Sequence, residues 1–147
     1  FGAHISFFPD KAITTREAIR LYERVLEEST SEFVEVDDAA RAKKLGLSDI
    51  INVKMLDRSL TRQEAAYLVM KLYEIKSGAS VQQLRIPANI SFIDERNIRV
   101  DLYKHAALAC AYQFMQSPSN RFNPTGTVTR AEMVVAMKKV LEKLGEI

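Results

Sequence analysis

The chain has no tryptophan, one cysteine, two histidines, five glycines and four prolines among its 147 residues. Each scarcity removes a class of protein. The single thiol, Cys110, cannot close an internal disulfide, and within the apolar run ALACAYQF it reads as a buried thiol rather than a reactive one. So few glycines and prolines argue against an all-β chain full of tight turns. His4 and His105 have no Cys, Asp or Glu at metal-ligand spacing, so no metal is expected, and His105, beside Lys104, reads as a surface residue. No apolar run approaches the roughly 18 residues that a bilayer span requires, so no membrane insertion is expected.

Charge of one sign is also lacking. Lys and Arg number 21 against 19 Asp and Glu, a net charge of +2, which makes no strong field for a nucleic acid or a membrane surface. The basic doublets Lys43/Lys44 and Lys138/Lys139 carry no interleaved aromatics, so nucleic acid is not an expected partner. Nucleophile motifs, Gly-rich phosphate loops and HExxH are absent, and Glu27, Glu28 and Glu32 read as a polar helix end, not a catalytic pair. The expectation is a protein that is not an enzyme and needs no cofactor. The chain shows no signal-peptide pattern and opens with Phe, so it reads as a processed or excised fragment.

What is present is helical periodicity. With 47% apolar and 27% charged residues the chain reads as one globular, all-α domain. After the turn-like FFPDK, helices are predicted over residues 14 to about 28, over a short stretch capped by Asp37 or Asp38 and stopped at Gly46, and from Arg62 to about Lys76. Two more follow, over about 100–115 and 130–144. The first of these is apolar almost all round and so expected at the centre. Residues 47–59 read as a loop anchored by Ile50, Ile51 and Val53. Residues 77–91 read as a linker with an extended piece.

Three of these helices open alike: ITTREA from Ile13, LTRQEA from Leu60 and VTRAEM from Val128. Counting one, five, eight and nine positions past each glutamate gives Ala18/Tyr22/Val25/Leu26, Ala65/Val69/Leu72/Tyr73 and Met133/Met137/Val140/Leu141, so the three helices are expected to bury equivalent faces. The glutamates stand 47 and then 68 positions apart, the excess falling in the linker. Upstream, Phe122 and Pro124 match Phe7 and Pro9, where the middle copy has Lys54 and Leu56. Self-similarity of this kind predicts units that stack and share one core.

Thr14/Glu17, Thr61/Glu64 and Thr129/Glu132 each fit a capping box, in which Thr accepts from the amide three residues on and Glu reaches back to the Thr amide. Capping does not explain the arginine between them, since a cation in the first turn opposes the helix dipole. Arg62 and Arg130 occupy that place; the first copy has Thr15 there and Arg16 one step on. Two readings stand: a solvated arginine paired with a neighbouring acid, or a guanidinium that joins exposed helix-start amides in holding a carboxylate or phosphate.

The pattern F-x-D, helix, F-x-P, apolar-TRxE, helix resembles the S-layer homology (SLH) repeat. FID, ALACAYQF, RFNP and VTRAEM make residues 92–147 the strongest copy; residues 33–76 form a second, residues 1–30 match only the back half of a first, and 77–91 link them. The resemblance implies three helical repeats about a pseudo-threefold axis, the first incomplete, in a single module spanning 1–147. It implies grooves between repeats that bind secondary cell-wall polysaccharide, often through a pyruvate-ketal sugar, and so tether a protein outside the cytoplasm at a bacterial surface; it sets no oligomeric state. Carried onto this chain, Arg62 and Arg130 would meet the ligand carboxylate, with Asp94, Asn120 and Asn123 as sugar contacts. Thr15 stands where the first arginine belongs, with Arg16 as its substitute, the second copy lacks Phe and Pro, and no Trp is present to stack on a sugar. The alternative is a structural or protein-interaction module of the cell surface that has lost the sugar site.

Overall fold

The structure is a computed structural model that describes residues 10–26 and 37–147. The expectations placed on His4, Phe7, Pro9, Glu27, Glu28 and Glu32 lie outside these residues. Among them the fold is all-α, with five helices, α1 (Thr15–Leu26), α2 (Asp38–Lys44), α3 (Arg62–Ser77), α4 (Tyr103–Ala111) and α5 (Arg130–Lys143), and short 3-10 turns between them.

The three TxxE sequences do start helices, and each closes a capping box. The Thr14, Thr61 and Thr129 amides each donate to the glutamate three residues on at 2.9 Å. In return the amides of Glu17, Glu64 and Glu132 donate to the threonine hydroxyls at 3.2, 3.4 and 3.1 Å. These pairs satisfy amides that a helix start leaves without intrahelical partners. Asp37 caps α2, accepting from Ala40 N at 2.8 Å.

Packing follows the register read from the sequence. Ala18, Tyr22 and Val25, Ala65, Val69 and Leu72, and Met133, Met137, Val140 and Leu141 are all buried, while Leu26 and Tyr73 are partly so. The centre belongs to α3, whose residues Gln63 to Met70 are buried without interruption and which packs against α1, α4 and α5. Helix α4, apolar almost all round and expected there, lies alongside it with Ala106 to Ala109 fully buried.

One local expectation is refined and another is corrected. Residues 77–91 hold no strand, though Ser80 and Leu84 have extended backbone: Gly78 ends α3 at φ 79°, and a 3-10 turn over Val81–Gln83 follows. Buried Val81 is tied back by its amide to Glu74 Oε2 at 2.7 Å, so this segment is packed on the core. His105 is buried, 7% exposed, with its ring 5.2 Å from that of Tyr67. The neighbouring Lys104 had suggested a surface position, but the side of α4 that carries His105 meets α3. Burial pushes the imidazole pKa down, and Nδ1 has no hydrogen-bond partner among the described residues.

Candidate functional site

The segments preceding α1, α3 and α5 meet one another. Thr15 N donates to Arg58 O at 2.9 Å, Arg62 N to Gly126 O at 2.8 Å and Arg130 N to Lys11 O at 3.0 Å. Each segment therefore donates to one neighbour and accepts from the other, and the circuit closes on itself. Ile13 N to Val128 O at 2.8 Å and Leu60 N to Ile13 O at 2.9 Å form further bonds inside it. The apolar residue before each threonine, Ile13, Leu60 and Val128, is buried at this meeting point.

The circuit corrects one expectation about chemistry. The amides at the helix starts were read as exposed and free to take an anion, yet those of Thr15, Arg62 and Arg130 are all spent on carbonyls of the next segment. The following amides, of Arg16 and Gln63, are spent on Leu56 O and Pro124 O at 2.9 and 3.1 Å. At the starts of α1 and α3 any anion recognition therefore falls to side chains.

Each predicted arginine has a definite place. Arg62 donates from Nε to Phe122 O at 2.7 Å and from Nη2 to Gln116 O at 2.5 Å, and its guanidinium carbon lies 5.1 Å from the centre of the Phe122 ring. It forms one wall of a groove of about 120 Å³ between the start of α3 and α5, with Phe114, Met115 and Met133 as apolar floor and Glu132 and Lys139 at the side. Arg130, on the far side of the circuit, pairs through Nη2 with Glu17 Oε2 of the α1 capping box.

Asp94, Asn120 and Asn123 gather at one loop. Asp94 accepts from the amides of Phe122 and Asn123 at 2.9 and 2.8 Å, and Asn120 O accepts from Ile93 N at 2.8 Å. Burial alone would raise the Asp94 pKa; the two amides and nearby Arg121 outweigh it and hold the carboxyl below its ordinary value. Asn120 and Asn123 are exposed with φ of 58° and 56°, a left-handed conformation that asparagine tolerates better than most residues. A Cβ on Gly126 would lie 2.4 Å from Asn123 Nδ2, so glycine there gives that side chain its room. Phe122 joins this loop to Arg62: its carbonyl receives Arg62 Nε and its amide is held by Asp94, while Asp94, Asn120 and Asn123 are not among the residues that line the groove beside Arg62.

Thr15 and Arg16 are elsewhere. Thr15 is buried, its hydroxyl donating to Arg58 O at 3.1 Å. Arg16 turns to Asp38, donating from Nη1 to Oδ2 at 2.5 Å, with Asp57 3.3 Å away. Asp38 is 4% exposed and receives two further arginines: Arg20 to both oxygens at 3.0 Å, and Arg41 to Oδ1 at 2.6 Å. Arg41 is also held by Glu23 at 2.8 Å. Sequence reading missed this knot and Arg58; the Asp38/Arg41 spacing on one helix face was the only local sign of it.

Among the described residues, no group of three His, Cys, Asp or Glu side chains is placed to hold a metal ion, and no helix is long and apolar enough to cross a membrane. Compared with models of known families and with curated proteins, the chain matches none.

Proposed function

We propose that this chain is an SLH-type module of three helical repeats about a pseudo-threefold axis, the first incomplete, and that it tethers a protein to an anionic, pyruvylated secondary cell-wall polysaccharide at a bacterial surface outside the cytoplasm. In this reading it is non-catalytic. The observation that carries it is the closed circuit at the helix starts. Residues 15, 62 and 130 hold the same position in the three copies, and so do their acceptors 11, 58 and 126; each amide donates to the corresponding carbonyl of the next copy. Such a circuit supports a threefold arrangement, in which Arg62 and Arg130 would stand at two junctions between copies.

The ligand class is supported by the groove beside Arg62, where a guanidinium and the Lys139 ammonium border an apolar floor. That combination suits a sugar carrying a carboxylate: the cations meet the charge and the floor meets the ring's C–H face. Asn123 and Asn120, exposed on the loop that carries Phe122, offer amide groups to sugar hydroxyls.

Sedimentation with purified cell-wall sacculi tests the proposal. The chain is expected to co-sediment with sacculi that retain the polymer and not with stripped ones, and Arg62→Ala with Arg130→Ala is expected to weaken this at least about tenfold, the loss of one or more charge-assisted hydrogen bonds. Undiminished binding by a folded double variant would refute the arginine mechanism. A second reading, a structural or protein-interaction module, is favoured by the spending of Arg62 on the carbonyls of Phe122 and Gln116. It predicts no carboxylate-dependent sugar binding.

A further inference from the structure

The junction between the first and second copies has Thr15 where the others have an arginine, yet it does not lack a guanidinium. We propose that Arg58 supplies the ligand-facing guanidinium of that junction, in place of Thr15 and not of Arg16; the proposal rests on the functional reading above and adds a third binding groove to it.

Three observations converge on Arg58. First, the capping-box glutamate is met at its outer oxygen in the same manner at two junctions: Arg130 pairs with Glu17 Oε2, and Arg58 donates from Nη2 to Glu64 Oε2 at 2.9 Å. Following the circuit, a residue at position 15 would be the one to reach Glu64, and Arg58 reaches it from the other side. Second, Thr15 makes room for this. Its amide and hydroxyl both donate to Arg58 O, so the small side chain lies against the backbone that carries the arginine, where a guanidinium stem at position 15 would compete for the same space. Third, donor capacity remains. The Arg58 side chain is 41% exposed and, among the described residues, makes no hydrogen bond beyond the one to Glu64, whose side chain is 6% exposed. Its Nε and Nη1 carry no acceptor among the described residues, and together with the second hydrogen of Nη2 either can complete a two-donor edge for a bidentate acceptor.

Arg16 is excluded by the same accounting. Its Nη1 lies 2.5 Å from buried Asp38 and its Nε 3.3 Å from Asp57, so taking up a ligand would require stripping it from two carboxylates. The acceptor that fits Arg58 is a carboxylate presented edge-on, as on a pyruvate-ketal sugar.

The test is a titration with a pyruvate-ketal hexoside and with the same hexoside lacking the ketal. In an Arg62→Ala/Arg130→Ala background, residual binding that depends on the ketal is expected, and adding Arg58→Gln is expected to weaken it at least about tenfold. Arg58→Lys keeps a cation on Glu64, and therefore the fold, but loses the planar fork; it is expected to melt like its parent and still bind several-fold more weakly. In the unsubstituted chain the Arg58 Nε–H resonance should move on addition of the ketal sugar. Residual binding indifferent to Arg58→Gln and Arg58→Lys, or abolished by Arg16→Gln instead, overturns the assignment while leaving the functional reading intact. Failure of the unsubstituted chain to distinguish the two hexosides overturns both.

Discussion

Replacing Asp38 by Asn should cost about 3 kcal/mol of folding stability, which makes the arginine knot the most sensitive polar feature of the fold. The substitution keeps the shape of the side chain and removes its charge. In the native state the carboxylate, 4% exposed, accepts from Arg16, Arg20 and Arg41, of which only Arg41 is itself buried, at 8%. Removing one member of a buried ion pair typically costs about 3–5 kcal/mol because its partner is left uncompensated. The low end applies here. Arg20 is 56% exposed and recovers water, and Arg41 retains Glu23 at 2.8 Å. With a urea slope of about 2 kcal/mol per molar, this lowers the unfolding midpoint by about 1.5 M at pH 7. The effect should fade in acid. Burial raises the Asp38 pKa, but Arg20 and Arg16 more than reverse this and leave it below its ordinary value. The unfolded chain therefore takes up the proton first, below about pH 3.9, and the stability present above that value is lost as pH falls through the folded-state pKa. A midpoint shift at pH 7 smaller than about 0.5 M would refute the claim that Asp38 holds α2 to α1.

The capping boxes should differ in weight: Glu64 is buried and also holds Arg58, while Glu132 is exposed, so Glu64→Ala is expected to cost about 2 kcal/mol and Glu132→Ala about 1, compared by thermal melting. Equal costs would remove the distinction. The buried His105, which faces Tyr67, Lys71 and Glu74 of α3 and Asp101, has a lowered pKa. Below about pH 6.5 the unfolded chain binds the proton that the folded one resists, so stability should fall from there toward the folded-state pKa, and His105→Phe should flatten this slope in urea titrations across that range. A variant with the same slope as the parent would place the titration elsewhere.

How much of this was legible depended on the range of the interaction. Threonine and glutamate three apart speak to each other within one helical turn, so all three capping boxes, the helix starts and the buried faces could be read from local pattern. The Asp37 cap and the stop at Gly46 were equally local. His105 was misread because its neighbour Lys104 says nothing about which side of α4 meets α3. The partners of the arginines were out of reach for the same reason: Arg16 and Arg20 find Asp38 across 22 and 18 residues, and Arg62 finds carbonyls 54 and 60 residues away. Thr15-Arg16 drew attention as an odd pair, but the partner of Thr15 is the carbonyl of Arg58, 43 residues on, which no spacing rule connects to it.

The backbone circuit at the helix starts also sets an order of events for a chain made from one end. Residues 11–15 and 58–62 emerge well before 126–130, and until that last segment arrives the amides of Arg62 and Gln63 and the carbonyl of Lys11 have only water as partners. Local helices form early and cheaply, but the junction that orients them waits on two long loop closures, whose entropy must be lost before any of its hydrogen bonds is gained. The tempo of folding is thus governed by the arrival of Gly126 to Arg130, not by the strength of any helix.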